Sequence, residues 1–154
     1  MANDGKEFMI EDARIIFRNF SGKEGPYNRE GERSFCAILS DDVAVVMEAD
    51  DWNVRYLKVQ EEGDIPTPYI PIAVNFKNRP PRVVMITSVG KTTLTEETVG
   101  VLDWADIKMV DLIARGYEWV VNGKTGTKAY LQTLVITINE DALERKYGML
   151  GEEH

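Results

Sequence analysis

Between Lys108 and Asn139 the chain reads KMVDLIARGYEWVVNGKTGTKAYLQTLVITIN, with strand-forming residues on both sides of Asn122-Gly123-Lys124-Thr125-Gly126. An Asn-Gly pair with a second glycine three residues later supplies the positive-φ positions of a tight reversal. The pattern predicts two long strands joined by a five-residue loop. With Val121 facing Thr127, one face pairs Trp119 with Ala129, Tyr117 with Leu131 and Arg115 with Thr133. The other face pairs Val120 with Lys128 and Glu118 with Tyr130. The base of this hairpin is then apolar on both faces, and its tip is aromatic and basic on both.

Elsewhere the apolar runs are shorter. Phe8 to Phe20 reads as one strand, with Ala13, Ile15 and Phe17 on one face and Arg14, Ile16, Arg18 and Phe20 on the other. Residues 21–33, SGKEGPYNREGER, carry glycines, a proline and mixed charge, the composition of a long loop. Ser34 to Leu39, Trp52 to Val59, Tyr69 to Phe76 and Val83 to Thr87 read as further strands, and Pro71 assigns the third of these to an edge or a bulge. Ser40 caps a short helix, with Asp41 and Asp42 in its first turn and Val43, Val46 and Met47 as its apolar stripe. Thr95 and Asn139 carry the marks of two more helix starts, each followed by acids and bracketed by a hydrophobic staple. Many short strands with two or three short helices predict a mainly β fold, an OB-fold-like small barrel with a long β-hairpin. The 154 residues form one such domain, 1–154, ending in a short acidic tail, 148–154.

Composition narrows the chemistry. A hydrophobic content of 44% with 29% charged residues fits an ordinary globular protein. The N-terminus is polar and no apolar run reaches the length of a membrane span, which makes the expected location the cytoplasm. The lone Cys36 excludes an internal disulfide and sits in an apolar run as a small core residue. The single histidine is His154, so zinc sites and Ser-His or Cys-His catalysis lack their residues. Ser88-Val89-Gly90-Lys91-Thr92-Thr93 contains GKT, but a phosphate loop requires a glycine where Met85 stands. The carboxylate pairs Asp41-Asp42 and Asp50-Asp51 have no flanking ligand pattern and read as helix-end solvation. Neither a cofactor nor an enzyme activity is expected.

The net charge of −8 argues against nucleic acid when taken as a sum. Its distribution argues otherwise, because Asn75 to Leu94 carries Lys77, Arg79, Arg82 and Lys91 and no acid. Basic and aromatic residues also interleave five times: Arg18 with Phe20, Tyr27 with Arg29, Phe76 with Lys77 and Arg79, Arg115 with Tyr117 and Trp119, and Lys128 with Tyr130. A groove for single strands requires cations for phosphates and flat apolar faces for unpaired bases, each face contributing about 1–3 kcal/mol. Lys124 adds a cation at the hairpin tip. Any single one of these rings is more often a core residue than a ligand-facing one, while Trp119 fits either a stacking ring or a plug at the barrel end.

Several segments resemble a known family. They are Tyr27-Asn28-Arg29-Glu30-Gly31-Glu32-Arg33-Ser34-Phe35, Gly63-Asp64, Arg79-Pro80-Pro81-Arg82-Val83-Val84-Met85-Ile86-Thr87, Trp119-Val120-Val121-Asn122-Gly123-Lys124, Lys128-Ala129-Tyr130-Leu131 and Leu143-Glu144-Arg145-Lys146-Tyr147. From about Ile15 to Tyr147 the chain is similar to a tailed-phage family of single-stranded-DNA-binding proteins with an OB-type fold. The resemblance implies sequence-independent binding of single-stranded DNA, a role in phage replication or recombination, and action in the host bacterial cytoplasm. It also makes Gly151-Glu152-Glu153 a candidate acidic tail for recruiting replication or recombination proteins, against an ordinary frayed terminus. The alternative from a different class is an acidic protein-binding module, such as a DNA mimic, with no nucleic-acid affinity. A metal-dependent nuclease using the acidic clusters is the third reading.

Overall fold

The computed structural model describes residues 6–26, 28–77 and 79–139. Its strands are β1 (Glu7–Ile10), β2 (Ile15–Asn19), β3 (Arg33–Ile38), β4 (Arg55–Tyr56), β5 (Pro68–Val74), β6 (Arg82–Thr87), β7 (Gly90–Leu94), β8 (Ile107–Val121) and β9 (Lys124–Ile138). One α-helix, α1 (Asp41–Ala49), follows β3, and a 3-10 helix covers Val99–Asp103. The sheet runs β1-β8-β9-β5-β3-β2, with β4 beside β5, and β6 between β9 and β7. It is an open mixed sheet. β9 runs antiparallel to β8 but parallel to β5 and β6.

The two ends of that path are consecutive in the chain. β1 pairs with β8 and β2 with β3, and the connection between them is held at both sides. The Ala13 amide donates to the Val110 carbonyl at 2.7 Å, and the Ile38 amide donates to the Arg14 carbonyl at 2.9 Å. The expected single strand from Phe8 to Phe20 is thus two strands, broken at Asp12, whose φ is +53°.

The core lies on the inward face of this sheet. Phe20, Phe35, Ile70, Ile72, Leu112, Leu131, Leu134 and Ile136 are fully buried there. Trp52 plugs the end nearest the hairpin, with its ring edge-to-face with Phe8 at 4.9 Å. Gly116 makes room for it, since a Cβ there would lie 2.8 Å from the indole.

Several expected elements change form. Ser40 does cap α1, accepting from the Val43 amide at 3.3 Å, but the buried side chains are Ala44 and Met47, while Val43 and Val46 face solvent. The helix expected from Thr95 is a tight turn followed by the 3-10 helix. Asp103 accepts from the Phe20 and Ser21 amides, and that tie holds the segment against β2. Trp52 to Val59 forms a strand only at Arg55–Tyr56, with an isolated bridge from Trp52 to Thr127. Pro71 sits not at an edge but inside β5, where the strand's second neighbour changes from β4 to β9. The helix expected after Asn139 and the tail 148–154 lie outside the described residues. Among the described residues there is therefore one α-helix where two or three were expected, and none is long and apolar enough to cross a membrane.

Candidate nucleic-acid interface

The hairpin loop has two residues, not five. Asn122 and Gly123 both take positive φ, +52° and +79°, as a type I′ reversal requires. Val121 consequently pairs with Lys124, Trp119 with Gly126, Tyr117 with Lys128 and Arg115 with Tyr130, three positions from the expected register. Side chains alternate with period two, so an odd shift exchanges the faces of one strand against the other. Lys124, Lys128 and Tyr130 therefore join Arg115, Tyr117 and Trp119 on one outward face. Gly116, Ala129 and Leu131 are buried on the other. Glu118 also lies on that second face, 4.0 Å from Lys6, whose ammonium donates to Thr127 Oγ1 at 2.9 Å.

On the outward face the rings of Tyr117 and Tyr130 meet edge-to-face at 6.3 Å, and Lys128 Nζ lies 5.2 Å from the Tyr130 ring. The Arg115 guanidinium donates to the Arg79 carbonyl at 3.0 Å. Burial lowers its pKa, and the neighbouring Arg79 charge lowers it further. Among the described residues neither arginine has an ion-pair partner, so the two cations repel one another and favour a bound anion. Arg82 extends this face along β6, through its pairing with Thr133, which itself pairs with Ile113.

Beside Tyr130 the outward surface sinks into a groove of about 590 Å³. Its floor is made of small outward side chains, Ser34, Pro71 and Ala73, in register across β3 and β5, with Tyr130 next to Ala73. Phe76 and Tyr130 stand on its walls with Lys77, Lys128, Arg33 and Arg55. Arg33 is held by Glu96 at 3.1 Å, with its guanidinium 6.0 Å from the Phe76 ring. Cys36 shares the face of its partner Pro71 but is covered there, and burial pushes its thiol up to about 11. In the neighbouring loop the Asn28 side-chain amide donates to the carbonyls of Lys23, Arg29 and Glu32.

Of the candidate residues, Phe76, Lys77, Lys128 and Tyr130 line the groove. Arg79, Arg82, Arg115 and Tyr117 adjoin it, and Trp119 and Lys124 continue the face to the hairpin tip. Arg29 is exposed beside the groove-lining Asn28. Two candidates are elsewhere. Phe20 is fully buried, stacked on Phe35 with centroids 5.2 Å apart, and offers no face to a base. Arg18 donates to the Leu102 and Ala105 carbonyls at 2.8 Å each and ties β2 to the 3-10 helix and the segment after it. Tyr27 lies outside the described residues.

The sequence reading missed Arg33 and Arg55 as groove cations, and Phe17 and Tyr69, whose rings meet edge-to-face at 5.9 Å. A usable signal was the run of small residues at alternate positions, Pro71 and Ala73, flanked by Tyr69. The GKT segment forms strand β7 in a hairpin with β6 and makes no phosphate cradle. Asp50 accepts from Trp52 Nε1 at 3.2 Å and Asp51 from Thr125 Oγ1 at 2.8 Å. Among the described residues no group of three His, Cys, Asp or Glu side chains could hold a metal ion.

Residues 2–153 match the family of phage ssDNA-binding domains. No curated protein matches the chain by sequence. Among solved structures the chain is similar to the single-stranded DNA-binding protein from bacteriophage Enc34, with a TM-score of 0.56 at 9% identity over 88% of this chain and 83% of that one. A C-terminal truncation of the same protein gives 0.55 at 8% identity, covering 88% of each chain. At these identities the likeness is one of fold.

Proposed function

We propose a binding path on a premise already secured: the chain belongs to the phage ssDNA-binding domain family. Single-stranded DNA crosses the outward face of β8 and β9 and continues into the groove over β5 and β3. Bases stack on Tyr117, Tyr130 and Phe76. Phosphates are met by Arg79, Arg82, Arg115, Lys128, Lys77, Arg55 and Arg33, with Lys124, Arg29 and Trp119 at the margins. The observation that carries this is the hairpin register, which puts two tyrosines and the hairpin cations on one continuous surface beside the groove. Cations and flat rings dominate that surface, which supports largely sequence-independent binding.

The same reading takes β1 and β2 as one bent strand that closes the sheet into an OB-type barrel, supported by the amide bonds at Ala13 and Ile38. It treats 1–154 as one non-enzymatic domain acting in phage DNA replication or recombination in the host cytoplasm. Protein partners would be engaged through the acidic residues of 148–154. The acidic protein-binding alternative rests on net charge alone.

The test is binding to oligo-dT across a salt series. Affinity should fall with a log-log slope near −0.7 per phosphate contact for a single strand. Tyr130→Ala should weaken binding by about 1–3 kcal/mol with the fold intact. Affinity that stays flat between low and moderate salt would remove the phosphate assignments.

A further inference from the structure

Plain alternation along β2 puts Phe17 inward and Phe20 outward. The structure does the reverse. The register of β2 against β3 slips between Ile16 and Asn19, where three steps on β2 oppose two on β3, from Cys36 to Ser34. That extra residue is a β-bulge, a device that re-aims side chains and is frequent beside functional sites. Here it exchanges the two phenylalanines. Phe20 goes into the core at 0% exposure, and Phe17 comes out at 62%.

Phe17 achieves this at φ +53°, in the left-handed region. Bulky side chains seldom occupy that region, and Gly, Asn or Asp is the usual occupant. The position thus combines a disfavoured backbone with a solvent-exposed aromatic ring, and neither serves the core. The ring leans edge-to-face on Tyr69. Tyr69 lies on the same outward face of β5 as the groove floor at Pro71 and Ala73, and it pairs across the strands with the groove-lining Arg55. The aromatic pair stands four residues along β5 from the Ala73–Tyr130 pairing, about 13 Å away.

We propose that Phe17 and Tyr69 form a second base-stacking station at the far end of the groove, so that the strand is held by rings at both ends and by cations between them. This rests on the single-stranded-DNA path proposed above. The bulge then has a stated purpose: it trades backbone ease for a flat apolar face at the groove mouth, with Arg55 beside it for the intervening phosphate.

The test compares wild type, Phe17→Asn, Phe17→Trp and Tyr69→Leu in binding to dT16 by fluorescence anisotropy, with melting temperatures measured on the same proteins. Asn suits the left-handed backbone, so Phe17→Asn should melt no lower than wild type while binding about 5- to 150-fold more weakly. Phe17→Trp, which keeps a flat ring, should bind as wild type does. Tyr69→Leu keeps apolar bulk without the ring and should also bind more weakly, which provides an answer if Phe17→Asn fails to fold. Wild-type binding with unchanged affinity in folded Phe17→Asn or Tyr69→Leu overturns the second station and leaves the hairpin path standing. Absence of binding by the wild type itself overturns the path and the station together.

Discussion

Trp119 rests on Gly126. The two residues face each other across the hairpin, and a Cβ on the glycine would lie 2.4 Å from Cζ2 of the indole. The ring therefore covers the backbone of the opposite strand and is half-buried without entering the core. This is the cross-strand rescue of a glycine by an aromatic residue.

Gly126→Ala should consequently displace the indole and cost about 1–3 kcal/mol of stability, as overpacking does. The measurement is denaturant unfolding, with Trp119 emission followed in a background where Trp52 and Trp104 are replaced by Phe. An unshifted emission maximum and unchanged stability would mean that the ring does not need the space the glycine leaves.

Arg115 and Arg79 give an electrostatic prediction. Their mutual repulsion and the partial burial of Arg115 are relieved by a phosphate, so replacing Arg115 with Leu should weaken oligo-dT binding. Replacing Arg79 with Ala should do the same, and each change should make the log-log salt slope shallower by about 0.7. Stability should change little, because each replacement removes a like-charge contact. A slope that stays constant in the double variant would assign the phosphate to other cations.

Phe20→Ala should behave in the opposite way, costing about 3–5 kcal/mol of stability through the cavity beside Phe35. The folded fraction should keep its affinity for single strands. Weakened binding at full occupancy of the fold would return Phe20 to the interface.

Cys36 supplies a pH dependence. Burial raises its thiol from 9.0 to about 11, so the folded state favours the neutral form. Its contribution is fully present below the unfolded pKa near 9 and is lost as pH rises through about 11. Wild type should therefore lose stability relative to Cys36→Ala between pH 9 and 11, measured by chemical denaturation. Parallel curves over that range would show the thiol to be solvated.

The hairpin, the helix cap at Ser40 and most strands were legible because each depends on local chemistry. Asn122-Gly123 fits a reversal and Ser40-Asp41-Asp42 fits a helix start whatever surrounds them. The register was not legible, because Gly126 reads as a loop residue until the indole of Trp119 is seen to require it. A two-residue loop and a five-residue loop share the same Asn-Gly signal, and the odd difference decides which face Tyr130 occupies. The Phe17 and Phe20 assignments failed for the same kind of reason. A bulge has no consistent sequence signature, and one extra residue inverts everything beyond it. The groove floor was hidden as well, since Ser34, Pro71 and Ala73 come together only through pairing between strands distant in sequence.

Among the described residues β9 is the one strand that touches β8, β5 and β6 together, and two of those contacts are parallel. Of the described strands it is also the one farthest along the chain. Until Lys124–Ile138 has been synthesised, β5 and β6 each wait with an unpaired edge, although β1 can already pair with β8 and β2 can already be tied to the 3-10 helix. Assembly of the sheet therefore waits for β9, is dominated by partners far apart in sequence, and is slow for a chain of this size. The outward tyrosine of β9 and its cations arrive with that same strand. A nascent chain thus lacks the proposed DNA surface until β9 is in place.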